Sequence, residues 1–239
     1  MLPRLYVDLP LSAGESISLP AGPARHVQVL RLQPGAPLIV FDGRGGEWEA
    51  EVTKMGRSEV NVAIGAHTEV DRELPLRITL ALGVPANERM DALVEKATEL
   101  GVAAIQPLMC ERSVLRLNGE RAQKKVAHWQ AVAVSACEQS GRTCVPQIAE
   151  MRTLAQWLQA VPADAARWML SFRDAQPIAL INPPSSSLVC LSGPEGGLSP
   201  SEEDAARALG FAPVSLGPRV LRADTAPLAL LAHLGLRPG

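Results

Sequence analysis

Cysteine and histidine are scarce in this sequence of 239 residues, which contains four of each. The cysteines are widely spaced and form no C-x-x-C pair, and the histidines show no spacing typical of a zinc-ligand set. A disulfide framework and a structural zinc site are therefore both unexpected. We expect a protein with no metal and with unpaired thiols at Cys110, Cys137, Cys144 and Cys190.

Long hydrophobic runs are missing as well. No apolar stretch approaches the roughly 20 residues that a membrane-spanning helix needs. Residues 1–8 lack the apolar segment of a secretory signal. The hydrophobic fraction of 47% and the charged fraction of 20% are those of an ordinary globular protein. We expect a cytoplasmic protein with no membrane partner.

An excess of positive charge is also absent, because the formal net charge is −2. This balance counts mildly against a nucleic-acid partner. Phosphate contacts depend on where the positive charges lie, so local basic clusters could still bind RNA. The phosphate-loop pattern G-x-x-x-x-G-K-[ST] and the dinucleotide pattern G-x-G-x-x-G are missing, which argues against a nucleotide triphosphatase and an ordinary dinucleotide-binding enzyme.

Residues 1–72 contain short apolar runs about ten residues apart, separated by turn residues. This spacing predicts a small antiparallel β-barrel domain with one short helix near residues 23–30. The predicted strands cover residues 5–7, 17–19, 38–41, 48–52 and 60–64. A linker is expected at residues 71–75.

Residues 73–239 alternate between apolar strands and helical patterns, which predicts an α/β fold with a mostly parallel sheet. The predicted strands cover residues 76–84, 102–108, 168–172, 187–191 and 211–216. The predicted helices cover residues 87–100, 121–139, 153–160, 199–210 and 224–236. Asn87 is expected to cap the first of these helices, and Gly101 to end it.

Two strands end in glycine–proline turns that lead into helices. The first turn is Gly193-Pro194-Glu195-Gly196-Gly197, and the second is Gly217-Pro218. Such turns leave bare backbone at the carboxyl ends of strands, where open α/β sheets bind ligands. We expect the two strands to be neighbours and both turns to line one pocket. The alternative is a pair of tight turns with no ligand.

These motifs resemble those of the RsmE family of ribosomal small-subunit RNA methyltransferases. The resemblance rests on the first glycine turn together with Leu-Gly-Pro-Arg-Val-Leu-Arg-Ala-Asp-Thr-Ala at 216–226. It extends to residues 25–32, 41–43, 95–102, 110–113 and 136–142, and so covers nearly the whole chain. One position departs from the family pattern, because Asp224 stands where the family has Glu.

The resemblance implies a SPOUT-type trefoil-knotted domain at 73–239, preceded by a PUA-like RNA-binding barrel at 1–72. It implies S-adenosyl-L-methionine as cofactor and N3 of a decoding-region uridine (the 1498 type) in 16S rRNA of the 30S subunit as target. It also implies a homodimer, for which the wide apolar surface of the last helix (Leu228, Leu230, Leu231, Leu234 and Leu236) is a natural interface. Another RNA such as tRNA, or a non-catalytic RNA-binding protein, remain alternatives.

The site residues implied by this resemblance form three groups. The cofactor would contact Leu170, Leu191, Gly193, Pro194, Glu195, Gly196, Gly197, Leu216, Gly217, Arg219, Leu221, Thr225 and Ala226. RNA would contact Arg4, Arg25, His26, Arg31, Lys96 and Arg112, although a solvated helix face explains Arg25, His26 and Arg31 equally well. The catalytic candidates are Arg219, Arg222, Glu138, Arg142 and Asp224.

Each catalytic candidate also has a purely structural explanation. An arginine could donate to a uracil oxygen and stabilise a developing anion. Arg219 and Arg222 could instead form salt bridges with Glu195 or Asp224 that join the two turns. Glu138 could pair with Arg142 along one helix.

Overall fold

The computed structural model describes residues 2–57, 59–86, 89–162 and 164–236. These residues form two compact units, Met1–Glu73 with Val134–Val145, and Leu74–Ala133 with Pro146–Gly239. The units depart from a simple division at residue 72, because residues 134–145 pack with the amino-terminal segment.

The first unit contains a five-stranded sheet and one short helix. The strands are β1 (Arg4–Tyr6), β2 (Ser16–Ser18), β3 (Pro37–Phe41), β4 (Glu47–Met55) and β5 (Val60–Thr68), and the helix is α1 (Ala21–Val29). The strand order is β1-β3-β4-β5-β2. The expectation of a purely antiparallel barrel is wrong at β1, which pairs with β3 in parallel. The reason is connectivity, since β2 and α1 intervene between these strands and return the chain in the same direction.

The second unit contains an eight-stranded parallel sheet with helices. Its strands are β6 (Arg77–Gly83), β7 (Ala104–Met109), β8 (Gln147–Ile148), β9 (Arg152–Thr153), β10 (Ala166–Leu170), β11 (Gln176–Pro177), β12 (Ser187–Ser192) and β13 (Ala212–Ser215). Its helices are α2 (Arg89–Glu99), α3 (Gly119–Ser140), α4 (Leu154–Leu158), α5 (Pro200–Ala208) and α6 (Thr225–Gly235), with the last turns of α3 in the first unit. The expected mostly parallel α/β sheet is confirmed, while the trefoil knot stays a prediction.

The strand order in this sheet is β11-β13-β10-β12-β6-β7-β8, with β9 also paired to β7. The expectation that β12 and β13 are neighbours is therefore wrong. Strand β10 lies between them and pairs with both. The three strands are parallel, so their carboxyl ends still meet at one edge of the sheet.

Both faces of the parallel sheet are buried, which explains its continuous apolar runs. In β12, Leu188 and Cys190 pack in one hydrophobic cluster with residues of α2, α3 and α6. Val189 and Leu191 pack in a second cluster with residues of α4 and α5. Alternate residues of one strand thus serve opposite layers of helices.

The residues predicted to start α5 and to end α2 take those positions in the structure. Ser199 and Glu202 form a reciprocal capping box at the start of α5, and Pro200 takes its first position. Helix α2 ends with Gly101 at φ +88°, where Val102 N donates to Ala97 O. The predicted cap Asn87 lies outside the described residues. None of the described helices is both long and apolar enough to cross a membrane.

Candidate active site

A cavity of about 510 Å³ opens at the carboxyl ends of β10, β12 and β13. Its wall is made of residues from three strand ends, from the segment that precedes α6, and from the helices α2, α5 and α6. These residues are Arg89, Leu170, Ser171, Phe172, Ser192, Gly193, Pro194, Glu195, Gly196, Gly197, Leu198, Glu203, Val214, Ser215, Leu216, Arg219, Val220, Leu221, Arg222, Ala223 and Ala226. The cavity lies entirely within the second unit.

Ten of the thirteen predicted cofactor residues lie on this wall. Leu191, Gly217 and Thr225 do not. Leu191 is fully buried because its side chain packs in the cluster with α4 and α5. Gly217 forms the turn itself, with φ +107°, and Thr225 is the first residue of α6.

The first glycine turn is packed so closely at Gly193 that a side chain is excluded there. A Cβ atom on Gly193 would lie 2.7 Å from the backbone nitrogen of Leu198. Pro194 O accepts a hydrogen bond from Gly197 N at 2.8 Å, which closes the turn. Bare backbone therefore faces the cavity, as the sequence predicts.

Two side chains hold the loop that follows β7 against this turn. Glu202 Oε1 accepts from Glu111 N at 2.8 Å, and its Oε2 accepts from Ser199 N at 2.9 Å. Arg112 Nη1 donates to Gly196 O at 3.0 Å and to Leu198 O at 3.2 Å. The structure therefore gives Arg112, an RNA-contact candidate, a role in fixing the cavity wall.

Both carboxylates on the cavity wall have hydrogen-bond and ion-pair partners. Glu195 accepts from Ala86 N at 2.8 Å and lies 3.8 Å from Arg89. Glu203 accepts from Ser171 Oγ at 3.0 Å and pairs with Arg173 at 3.6 Å.

Arg219 and Arg222 are exposed on the same wall. Within the described part of the chain, neither forms an ion pair, so the salt bridges considered from the sequence are not seen. With both wall carboxylates engaged elsewhere, these two guanidinium groups give the wall uncompensated positive charge.

Asp224 precedes α6 but its side chain makes no capping hydrogen bond. Its Oδ1 atom is buried and has no hydrogen-bond partner among the described residues. Such an orphaned carboxylate oxygen is unfavourable, and it marks a place where another group could bind. Asp224 itself is not among the residues that line the cavity.

Glu138 and Arg142 belong to the first unit. Glu138 Oε1 accepts from Tyr6 N at 2.9 Å, and Oε2 lies 3.4 Å from His26 Nδ1. Burial raises the pKa of Glu138, and these partners partly oppose the rise. Arg142 lies beyond the end of α3, is 4% exposed, and pairs with Glu73. The assumption that Glu138 and Arg142 are spaced along one helix is therefore wrong.

The remaining RNA-contact candidates differ in accessibility. Arg4 is 8% exposed, pairs with Glu47 at 2.5 Å and donates to backbone carbonyls, so its guanidinium is engaged within the protein rather than presented to RNA. Lys96 bridges Glu95 and Glu99 at 2.8 Å, and these hydrogen bonds raise its pKa. Arg25 and Arg31 are exposed and His26 is half-buried, which keeps all three as candidates.

The sequence reasoning missed the third strand end. At the end of β10, Leu170 was predicted to line the site, but Ser171 and Phe172 were not. Three other wall residues were also not predicted: Ser192, Ser215 and Val220. Applying the carboxyl-end rule to the predicted strand at 168–172 would have found the β10 residues.

Comparisons with known proteins agree with this geometry. The family model for the RNA methyltransferase domain matches residues 72–235, and that for the RNA methyltransferase PUA domain matches residues 24–65. A ribosomal RNA small subunit methyltransferase E of Synechocystis is 33% identical over 231 residues, covering 92% of this chain and 72% of that protein. The chain belongs to the ribosomal RNA small subunit methyltransferase E family.

Three further proteins are similar over nearly their full length, and the first two are named ribosomal RNA small subunit methyltransferase E. The Bacillus subtilis protein is 29% identical, covering 97% of this chain and 95% of that protein. The crystal structure of the Neisseria gonorrhoeae enzyme bound to S-adenosyl methionine has a TM-score of 0.94 and 39% identity, covering 98% and 97% of the two chains. A Legionella pneumophila methyltransferase with the same bound cofactor has a TM-score of 0.93 and 33% identity, covering 98% and 97%.

Proposed function

We propose that this protein transfers a methyl group from S-adenosyl-L-methionine to N3 of a uridine in 16S rRNA. The target is a decoding-region uridine (the 1498 type) in the assembled 30S subunit, which places the activity in the cytoplasm. The observation that carries the proposal is a cavity whose wall combines the backbone of the first glycine turn with two guanidinium groups that form no ion pair among the described residues. The names and bound cofactor of the similar proteins support it.

The cavity suits the cofactor in size and in chemistry. Its volume of about 510 Å³ lies in the range of small-molecule sites. The glycine turn at 193–197 offers backbone donors and acceptors, and Leu170, Leu216 and Leu221 offer apolar contact. These residues would hold S-adenosyl-L-methionine, whose sulfonium supplies an electrophilic methyl group.

The residues of the wall can prepare the base for transfer. N3 of uridine carries a proton and is a poor nucleophile, so charge must develop on the uracil ring. Arg219 and Arg222 would donate to uracil oxygens and stabilise that negative charge. Because no carboxylate neutralises them in the described structure, their full charge remains for the substrate.

The proton on N3 also needs an acceptor. Asp224 follows directly in the same segment, and its Oδ1 has no hydrogen-bond partner among the described residues. Glu138 is already engaged by Tyr6 and His26, and Arg142 by Glu73. We therefore assign structural roles to Glu138 and Arg142. Asp224 is the remaining carboxylate candidate, but its buried Oδ1 is not on the cavity wall, so it would accept the proton only once substrate binding has exposed it.

Arginine variants test this mechanism. We expect Arg219→Ala and Arg222→Ala to lose about 3–4 kcal/mol of transition-state stabilisation, a rate loss of about a hundredfold to a thousandfold. Cofactor affinity and thermal stability should change little. Single-turnover methylation of 30S subunits, cofactor calorimetry and thermal melts of each variant measure the three quantities. Arg121→Ala, an exposed position on α3, is the matched control and should remain fully active.

Each contradictory result would identify which part of the proposed function is wrong. Activity within about tenfold of wild type would remove both arginines from catalysis. A lower melting temperature together with a lower cofactor affinity would show a structural role.

Mass spectrometry of small-subunit RNA from cells lacking the protein tests the target. If the 16S rRNA uridine is still methylated in these cells and a tRNA methyl group is missing instead, the proposed target is wrong. A wild-type protein that does not bind the cofactor would favour a non-catalytic RNA-binding protein.

A further inference from the structure

Phe172 is an exposed aromatic residue on the cavity wall. It is 61% exposed, whereas the other two phenylalanines of the chain, Phe41 and Phe211, are 0% and 2% exposed. An exposed ring gives up the stabilisation that burial in the core would provide. Phe41 and Phe211 each pack against another aromatic ring, and no such contact is found for Phe172 in the described residues.

The backbone on both sides of Phe172 is held firmly. Ser171 N donates to Val214 O at 3.1 Å, which ties this segment to β13. Ser171 Oγ donates to Glu203 and accepts from Arg173 N, both at 3.0 Å. The Arg173 guanidinium pairs with Asp204 and with Glu203. The ring is thus presented to solvent from a fixed support, so little conformational entropy is lost when a partner covers it.

The same wall carries the exposed cations and a second exposed apolar group. Arg219 and Arg222 are exposed, and Val220 between them is 84% exposed. An aromatic face together with guanidinium groups is the combination that binds unpaired nucleotides, because bases stack on rings and phosphates attract cations. A globular core or a cofactor site alone does not require this exposed combination.

We propose that Phe172 is the stacking platform for the unpaired target nucleotide at the mouth of the cavity. The inference rests on the proposed function and names a residue that positions its substrate. Enzymes that modify a base must take that base out of its stack, and a preformed aromatic surface offsets part of the lost stacking. Arg219 and Arg222 then approach the edge of the base while Phe172 covers its face.

Two substitutions at one position test the proposal. Phe172→Ala should lower single-turnover methylation at subsaturating 30S concentration about tenfold to a hundredfold, since a base–aromatic stack is lost. Cofactor affinity by calorimetry should stay within about twofold. Phe172→Trp keeps an aromatic face and should retain most activity. Leu180→Ala, which removes another exposed apolar side chain (74% exposed) outside the cavity wall, is the matched control and should be unaffected.

A binding measurement separates this proposal from the proposed function. The added tryptophan of Phe172→Trp should be quenched by a short uridine-containing oligoribonucleotide, beyond the quenching seen with wild type. This readout needs no methyl transfer, so it still reports stacking if wild type fails to methylate 30S subunits. Absence of that quenching, or normal methylation by Phe172→Ala, would overturn the proposal. So would a loss of cofactor affinity, or a change in oligomeric state by light scattering, because each assigns the ring to another contact.

Discussion

Gly83, the last residue of β6, lies directly beneath the first glycine turn. A Cβ atom at this position would lie 2.5 Å from both Cδ and N of Pro194, and 3.0 Å from the carbonyl carbon of Gly193. Ordinary contact begins at 3.4 Å, so Gly83→Ala requires a displacement of about 0.9 Å between two backbone segments. Both Gly193 and Pro194 lie on the cavity wall. The substitution therefore strains the fold and shifts the wall together.

The expected cost is that of overpacking, about 1–3 kcal/mol in the free energy of unfolding. For a domain of this size the melting temperature should fall by about 2–12 °C. Affinity for S-adenosyl-L-methionine should fall in parallel, because the displaced backbone is the surface that we assign to the cofactor. Thermal and urea unfolding followed by circular dichroism, and calorimetry with the cofactor, measure the two effects.

Gly22→Ala is the matched control, because nothing lies within 4 Å of the corresponding Cβ position. Gly22 is the second residue of α1, where alanine has a smaller backbone-entropy cost than glycine, so Gly22→Ala should leave the melting temperature unchanged or raise it slightly. The same chemical change should thus destabilise the protein only at Gly83. A Gly83→Ala protein with unchanged melting temperature and cofactor affinity would refute the reasoning.

Two further predictions concern the second unit. Burial tends to raise the pKa of Asp91, but hydrogen bonds from His128 (2.6 Å) and Trp129 (3.0 Å) lower it below its ordinary 3.8. The stabilisation by ionised Asp91 is therefore present above pH 3.8 and is lost as the pH falls through the lowered pKa. Asp91→Ala should cost about 1–3 kcal/mol at pH 7 and progressively less under acid, and a pH-independent difference in urea unfolding would contradict this. We also propose a homodimer through α6. The structure buries Leu230 and Leu231 in the core, packs Leu228 and Leu234 partly against it, and leaves Leu236, directly after α6, 83% exposed. Light scattering that returned a 25.4 kDa monomer at micromolar concentration would contradict the dimer.

Much of the local structure follows from residues that are close together in the chain. Alternating and helical patterns predict the main strands and helices because each depends on neighbours two to four residues away. The capping box of Ser199 and Glu202 and the helix end at Gly101 are of the same kind. The two glycine turns also predict a ligand site, because glycine has no side chain to cover the backbone donors and acceptors.

Long-range order is different, because it depends on partners that the chain brings together from far apart. The sequence does not reveal that β10 separates β12 from β13. It indicates the strand that ends near Phe172, but not that this end lies between the two glycine turns. It does not reveal that Arg4 pairs with Glu47 rather than facing solvent. In the sequence, Arg112 is indistinguishable from a basic residue that contacts RNA. In the structure its guanidinium donates to two backbone carbonyls that lie 84 and 86 residues away in the chain. A charged side chain takes its role from whichever partners the packed chain places beside it, and those are set by topology.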